Sequence, residues 1–194
     1  MKILILGAGA IGSNLVKNLV PDLKGKHEIT ILDRDVVEER NVTPGTQFYS
    51  PDQIGLPKVE ALQMNIYKWY EREIKVVHGE LGKDVFPKSY EDMDLIVDCF
   101  DNYDARYSVQ QIFTATKGNI LHVGFSDKFT FAIEWAENYR VPTDITSGMD
   151  ICEMEGAAAF VAHVGSLASL VVEEFVNKEE KMEILGGKFY AKIC

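Results

Sequence analysis

Gly7, Gly9 and Gly12 stand in a GxGxxG spacing near the start of the chain, and Asp33 ends the next apolar run. Glycines so placed let a phosphate approach backbone N–H groups at the positive end of a helix, while a carboxylate one strand away can accept ribose hydroxyls. The motif alone is weak; its position between a strand-like run and a helix-like run is what reads as a nucleotide site. Whether the nucleotide is NAD or ATP does not follow from these residues. A second set of polar groups follows: Asp35, Arg40-Asn41, Gln47-Phe48, Ile54-Gly55 and Lys58, then Asp98-Cys99-Phe100-Asp101-Asn102 and Arg106. Lys58 comes directly after Pro57 at a predicted helix start, where a cation opposes the helix dipole, so chance placement is unfavourable and a functional role is favoured over a bland one. Asp101 either binds a cation or caps the helix after it. Arg106 either clamps Asp98 or lies on a helix surface, and Asp35 is either a ligand or a solvated loop acid.

These residues need a frame. Lys2 to Leu6 is nearly all apolar, the pattern of a strand covered on both faces by helices. Ser13 to Val20 carries Leu15, Val16, Leu19 and Val20 at helical spacing, ended by Pro21 and Gly25, and Glu28 to Leu32 makes the next strand. This unit has the length, about 30 residues, that a right-handed crossover requires. From Asp33 to Pro57 the sequence is polar, rich in proline and glycine and without sustained period, so it reads as a long functional loop holding at most one helical turn. Lys58 to Trp69 is helical, with Val59, Leu62, Ile66 and Trp69 on one face. Ile74 to Val77 and Leu95 to Phe100 are strands, Asp104 to Thr116 a helix, Ile120 to Phe125 and Thr130 to Trp135 strands. Asn138 to Met154 is irregular, Gly156 to Asn177 is the strongest helix, and Lys188 to Ile193 is a closing strand. The expected fold is α/β and Rossmann-like: a mainly parallel central sheet, helices on both faces, and an antiparallel extension toward the C-terminus, residues 1–194 forming one domain.

Composition narrows the function classes. The chain has 194 residues, 20 basic against 30 acidic, a net charge of -10, and 46% hydrophobic and 26% charged residues. Such a length fits one domain able to bury about 70% of its unfolded surface. The acidic excess argues against non-specific nucleic-acid or anionic-membrane binding, since nothing replaces phosphate counterions. Cys99, Cys152 and Cys194 form no CxxC pair, which excludes a disulfide framework and a four-cysteine zinc site and points to a reducing, cytoplasmic setting. Cys99 reads as core. Cys152 has Asp150, Glu153 and Glu155 around it, acids that raise a thiol pKa, so it reads as a non-catalytic thiol. His163 reads as a core or interface residue and His122 as a pocket candidate.

Taken together, the glycine motif, the Asp33-x-Asp35 step, the turn centred on Asn41, the Gly55-x-x-Lys58 helix start and the Asp101-Asn102-x-x-x-Arg106 step resemble the ThiF/MoeB/ubiquitin-activating superfamily, whose members adenylate carboxylates. The late helix from Gly156 to Phe175 extends the resemblance to nearly the whole chain. It implies ATP and Mg²⁺ as cofactors, Asp33 on the adenosine ribose, Asn41 near the phosphates, Lys58 on the α-phosphate and leaving pyrophosphate, Asp101 on Mg²⁺, and a homodimer. The sequence departs from the pattern where Pro44 replaces the family's triphosphate-gripping arginine; Arg40 is the expected substitute. Because Met1 begins almost at the first strand, the N-terminal helix that lends an arginine across the dimer is expected to be missing, as are the zinc cysteines. The resemblance implies acyl-adenylate formation in cofactor biosynthesis, on a small-molecule carboxylate or on the C-terminal glycine of a ubiquitin-like carrier. The small molecule is favoured, in the manner of the compact ThiF-like member that activates a pyridinol carboxylate for the iron-guanylylpyridinol cofactor of a methanogen hydrogenase. A NAD(P)-dependent oxidoreductase would leave Lys58 and Asp101 idle; a subunit that binds nucleotide or partner without chemistry is the other alternative.

Overall fold

In the computed structural model, one eight-stranded sheet runs in the order β3-β2-β1-β4-β5-β6-β7-β8. Its strands are β1 (Lys2–Leu6), β2 (Glu28–Asp33), β3 (Lys75–His78), β4 (Leu95–Asp98), β5 (Ile120–Phe125), β6 (Thr130–Trp135), β7 (Ile184–Gly187) and β8 (Tyr190–Ile193). The helices are α1 (Ala10–Asp22), the single turn α2 (Glu39–Val42), α3 (Lys58–Tyr70), α4 (Tyr103–Thr116) and α5 (Ala157–Lys178), with a 3-10 turn at Pro51–Gln53. The structure describes residues 1–23, 27–42, 45–82, 91–126, 128–142, 155–187 and 190–193. Gly25, Pro44, Lys188, Cys194 and the segment 143–154 that holds Cys152 lie outside the described residues.

The first five strands in the order are mutually parallel, and β6, β7 and β8 continue the sheet antiparallel, as the sequence pattern implied. Alternation along β1 shows how the layers form. Ile3 and Ile5 enter the larger core with residues of α1, α3 and α5, while Leu4 and Leu6 enter a second core with Val109 of α4. The sheet is thus covered on both faces, which is why β1 is apolar at every buried position. α5 is long and apolar enough by composition to cross a membrane, yet half of it is buried inside the fold. It packs along α1, where Gly165 is required: a Cβ there would fall 2.7 Å from Asn14 Cβ.

Four details depart from the sequence reading. Pro21 lies inside α1 rather than ending it. Trp69, placed on the buried stripe of α3, is 67% exposed, and Tyr70 packs against the core instead. β7 was not expected; its Ile-Leu-Gly-Gly sequence shows too short an apolar run to distinguish it from a loop, and pairing with β6 supplies the order. The strand expected through Phe100 ends at Asp98, because the chain then turns into the site.

The loop between β2 and α3 is tied down by buried amides. Asn14 Nδ2 donates to the carbonyls of Ala10 (2.7 Å) and Thr46 (2.9 Å), and Asn65 Nδ2 donates to the Phe48 carbonyl at 2.7 Å. Gln53 Nε2 donates to Asn65 Oδ1 at 2.9 Å and to the Ala61 carbonyl at 3.1 Å. These bonds satisfy loop backbone that would otherwise be buried unpaired.

Candidate nucleotide site

The glycine turn closes at the C-terminal end of β1. Gly7 adopts φ +96, and a Cβ there would sit 3.1 Å from the Cys99 carbonyl oxygen, so only glycine fits against the β4 side. Gly12 is under a stricter limit, since its Cβ would lie 1.9 Å from the Gly7 carbonyl oxygen. Gly9 is the N-cap of α1 and has no side-chain cap; a Cβ built on it would meet nothing within 4 Å. The space beside Gly9 at the N-terminus of α1 is therefore open, and a helix N-terminus with space beside it suits a phosphate.

Asp33 ends β2 beside this turn. The Ala8 N–H donates to its Oδ2 at 2.6 Å and the Asp35 N–H to its Oδ1 at 2.8 Å, while Tyr49 Oη donates to the Ala8 carbonyl at 2.5 Å. Burial pushes the Asp33 carboxyl up from its ordinary value, against the pull of those two N–H groups and of Lys58. Its oxygens have lone pairs beyond the two bonds made, enough for ribose hydroxyls. Sequence inspection missed Tyr49, whose phenol is buried under the same turn and whose pKa is raised by burial and then by Asp33 and Asp35.

Lys58 opens α3. Its backbone N–H donates to the Asp35 carbonyl at 2.9 Å and its Nζ to Asp35 Oδ2 at 3.0 Å. The Lys58 side chain is only 10% exposed, whereas that of Asp35 is 55% exposed. A buried cation is thus held at the mouth of the site by a half-exposed acid, and Asp35 is a partner of Lys58 rather than a merely solvated residue.

The opposite side is built by β4. Its register sets Leu6 beside Asp98, and the Cys99 N–H donates to the Leu6 carbonyl at 2.8 Å, bringing the following turn against the glycines. Asn102, not Asp101, caps α4: its Oδ1 accepts the Ala105 N–H at 2.9 Å. Asp101 is exposed and makes none of the hydrogen bonds or ion pairs found among the described residues. Beneath it, fully buried Asp98 accepts the Phe100 N–H at 3.0 Å and faces His122 Nδ1 at 2.7 Å and Arg106 Nη1 at 3.7 Å. Arg106 also donates to the Val123 carbonyl (2.8 Å) and Tyr139 Oη (3.2 Å), crossing β5 over Gly124, whose missing side chain makes room for it. His122 stacks on Tyr139 and meets Gln110 Oε1 at 3.1 Å. Arg106 is therefore the clamp on Asp98, and His122, 1% exposed, belongs to this buried group and not to an open pocket. Cys99 is core, its thiol pushed far up by burial.

Asn41 is buried in α2, with its Oδ1 accepting the Glu38 N–H at 2.8 Å. Arg40 is exposed and paired with Glu38. Among the described residues no group of three or more His, Cys, Asp or Glu is arranged around a metal. A single open carboxylate such as Asp101 still fits Mg²⁺, which keeps several waters and takes one or two carboxylates together with substrate phosphates.

The glycine turn, Asp33, Asp35 and Lys58 lie to one side of β1, and the Asp101 turn to the other. β2 and β3 extend the sheet in one direction from β1, β4 and β5 in the other, so the site occupies a topological switch point. Fold and topology together define an α/β domain of Rossmann type. The chain belongs to the ThiF family, whose model matches residues 1–190. It is similar to SUMO-activating enzyme subunit 2 of Dictyostelium discoideum, 33% identical over 57% of this chain and 17% of that protein. It is also similar to the NEDD8-activating enzyme E1 catalytic subunit of Saccharomyces cerevisiae, 28% identical over 57% of this chain and 36% of that one. Among solved structures, Escherichia coli MccB with ATP superimposes with a TM-score of 0.74 at 18% identity, covering 100% of this chain and 62% of MccB. Selenomethionine PaaA gives 0.69 at 15% identity, covering 100% and 63%. The chain spans well under half of either activating subunit and under two thirds of MccB.

Proposed function

We propose that the protein is an ATP-dependent adenylyltransferase that activates a carboxylate as an acyl-adenylate and releases pyrophosphate. The observation that carries this reading is the buried Lys58 ammonium held by Asp35 beside the open N-terminus of α1, with unengaged Asp101 across the switch point. A nucleotide oxidoreductase has no need of that cation and second acid; an adenylate-forming enzyme does. MccB, solved with ATP and in complex with N-formylated MccA, has the same fold.

In this reading the triphosphate meets the α1 N–H groups, the ribose hydroxyls bond to Asp33, and Asn41 orients the phosphates. A carboxylate oxygen attacks the α-phosphorus, and the bond from that phosphorus to the bridging oxygen breaks. Lys58 stabilises the charge that grows on the α-phosphate and the leaving pyrophosphate, a contribution worth more in the transition state than in the ground state. Asp101 holds Mg²⁺, which when bound neutralises phosphate charge. Arg40, released from Glu38, substitutes for the arginine displaced by Pro44.

The acid is a small molecule in cofactor biosynthesis, such as a pyridinol precursor, or else the C-terminal glycine of a ubiquitin-like carrier. The enzyme is a cytoplasmic homodimer, and Leu170, 52% exposed on α5, offers an apolar contact for the second copy. Nucleic acid and membrane are not partners. Calorimetry with ATP and Mg²⁺, followed by pyrophosphate exchange across a panel of carboxylates, tests the reading. ATP binding with acid-dependent exchange supports it; ATP binding without exchange for any small acid or carrier leaves a binding subunit, and binding of NAD alone overturns it.

A further inference from the structure

Arg34 and Glu80, two charged residues farther along the sheet edge than Asp33, are not used by the steps above; Arg34 Nε also lies 3.9 Å from Asp35 Oδ1. Arg34 follows Asp33 at the end of β2, and its Nη1 lies 3.3 Å from Glu80 Oε2, just past the end of β3. The strands are in register there, Asp33 against His78, and the Gly79 N–H donates to the Asp33 carbonyl at 3.1 Å. His78 Nε2 donates to the Arg34 carbonyl at 2.8 Å, which pins the backbone under the arginine. The Arg34 side chain is 62% exposed and that of Glu80 35% exposed, so the pair stands at the rim of the sheet.

The direction of the nucleotide follows from the site. In the proposed reading phosphates sit at the N-terminus of α1, above β1, and ribose at Asp33, the tip of β2. Each strand lies about 4.8 Å from the next, so the same line leads the base over the tips of β2 and β3, where Arg34 and Glu80 are.

We infer that Arg34 and Glu80 read the base: the Arg34 guanidinium lies against the face of a purine, and the Glu80 carboxylate accepts its exocyclic amino group. A carboxylate only accepts, so it favours an amino-bearing edge and repels a carbonyl at the same place. A planar guanidinium stacks on aromatic rings where a lysine does not. This inference rests on the nucleotide reading above.

The test compares ATP, inosine triphosphate, which carries a carbonyl in place of the 6-amino group, and inorganic tripolyphosphate, each titrated with Mg²⁺ into the whole chain and its variants. The wild type should prefer ATP over inosine triphosphate by about tenfold or more, since a site built to bond a group rejects the analogue lacking it. Glu80→Ala should reduce that ratio to about one with tripolyphosphate affinity unchanged. Arg34→Ala should weaken both nucleotides together, by about two- to fivefold, and also leave tripolyphosphate unchanged. A ratio that Glu80→Ala does not alter, or no preference in the wild type, overturns the assignment while nucleotide binding stands. Failure of the wild type to bind any nucleotide overturns the reading on which it rests.

Discussion

The two walls of the candidate site are made differently. On the β2 side the polar groups are already bound to one another: Asp33 to the Ala8 and Asp35 N–H groups, and Lys58 to Asp35. On the β4 side the polar contacts lie underneath, among Asp98, His122, Arg106 and Tyr139, and the residue at the surface, Asp101, is left without them. The contrast separates two ways of preparing a charged site. One wall keeps its cation buried and paired; the other spends its interactions on holding a turn in place and leaves a carboxylate exposed. In the proposed reading a phosphate shares the first and a hydrated cation meets the second. Mutations should therefore divide into those that remove chemistry and those that remove the support beneath it.

The largest effect expected is on the β4 side. Arg106→Ala leaves Asp98 buried without its guanidinium, and loss of one member of a buried ion pair costs about 3–5 kcal/mol, to be read by urea unfolding. An Arg106→Ala protein as stable as the parent would mean that the buried group is not the support described. On the β2 side, Lys58→Ala should lower the rate constant of adenylate formation by about 10²–10³, the scale of removing one transition-state donor. Its unfolding midpoint should move little, because Asp35 is half exposed and solvated when its partner goes. A large stability loss with activity kept would reverse the comparison.

Gly12→Ala sharpens the shared element between the walls. The 1.9 Å approach to the Gly7 carbonyl forces the turn apart, with about 1–3 kcal/mol of overpacking and weakened nucleotide binding. Tyr49→Phe removes one buried hydrogen bond to the Ala8 carbonyl and should cost about 1 kcal/mol, again by urea unfolding.

The smallest effect is a pH dependence under the β4 wall. Glu134, opposite His122 in the β5–β6 register, has its pKa raised first by burial and then by Glu183. The folded protein then binds the Glu134 proton more tightly than the unfolded chain does. Relative to Glu134→Gln, the wild type should gain stability as pH falls through the raised folded value, the gain being complete below the unfolded value near 4.5 and absent well above the folded one. Parallel unfolding curves of the two proteins across that range check the sign, and a gain on raising the pH would contradict it.

Much of this protein could be read along the chain. The runs Ile120 to Phe125 and Thr130 to Trp135 and the cores of α1, α3 and α5 announce themselves by apolar period, because which face is buried repeats every two or 3.6 residues. The positions of the glycine turn, of Asp33 at a strand end and of Lys58 at a helix start were legible for a related reason, since each such place demands particular residue types within a few positions; the roles proposed for them and for Asp101 are for experiment to decide. What only the tertiary structure decided joins residues far apart in sequence. That Asn14 holds Thr46, that Tyr49 closes on Ala8, that Asn102 takes the cap and leaves Asp101 open, and that His122 and Arg106 meet on Asp98 depend on which strands become neighbours. A polar side chain carries no periodic mark of its partner. Its hydrogen bonds are chosen by burial, and burial exists only once the sheet is assembled.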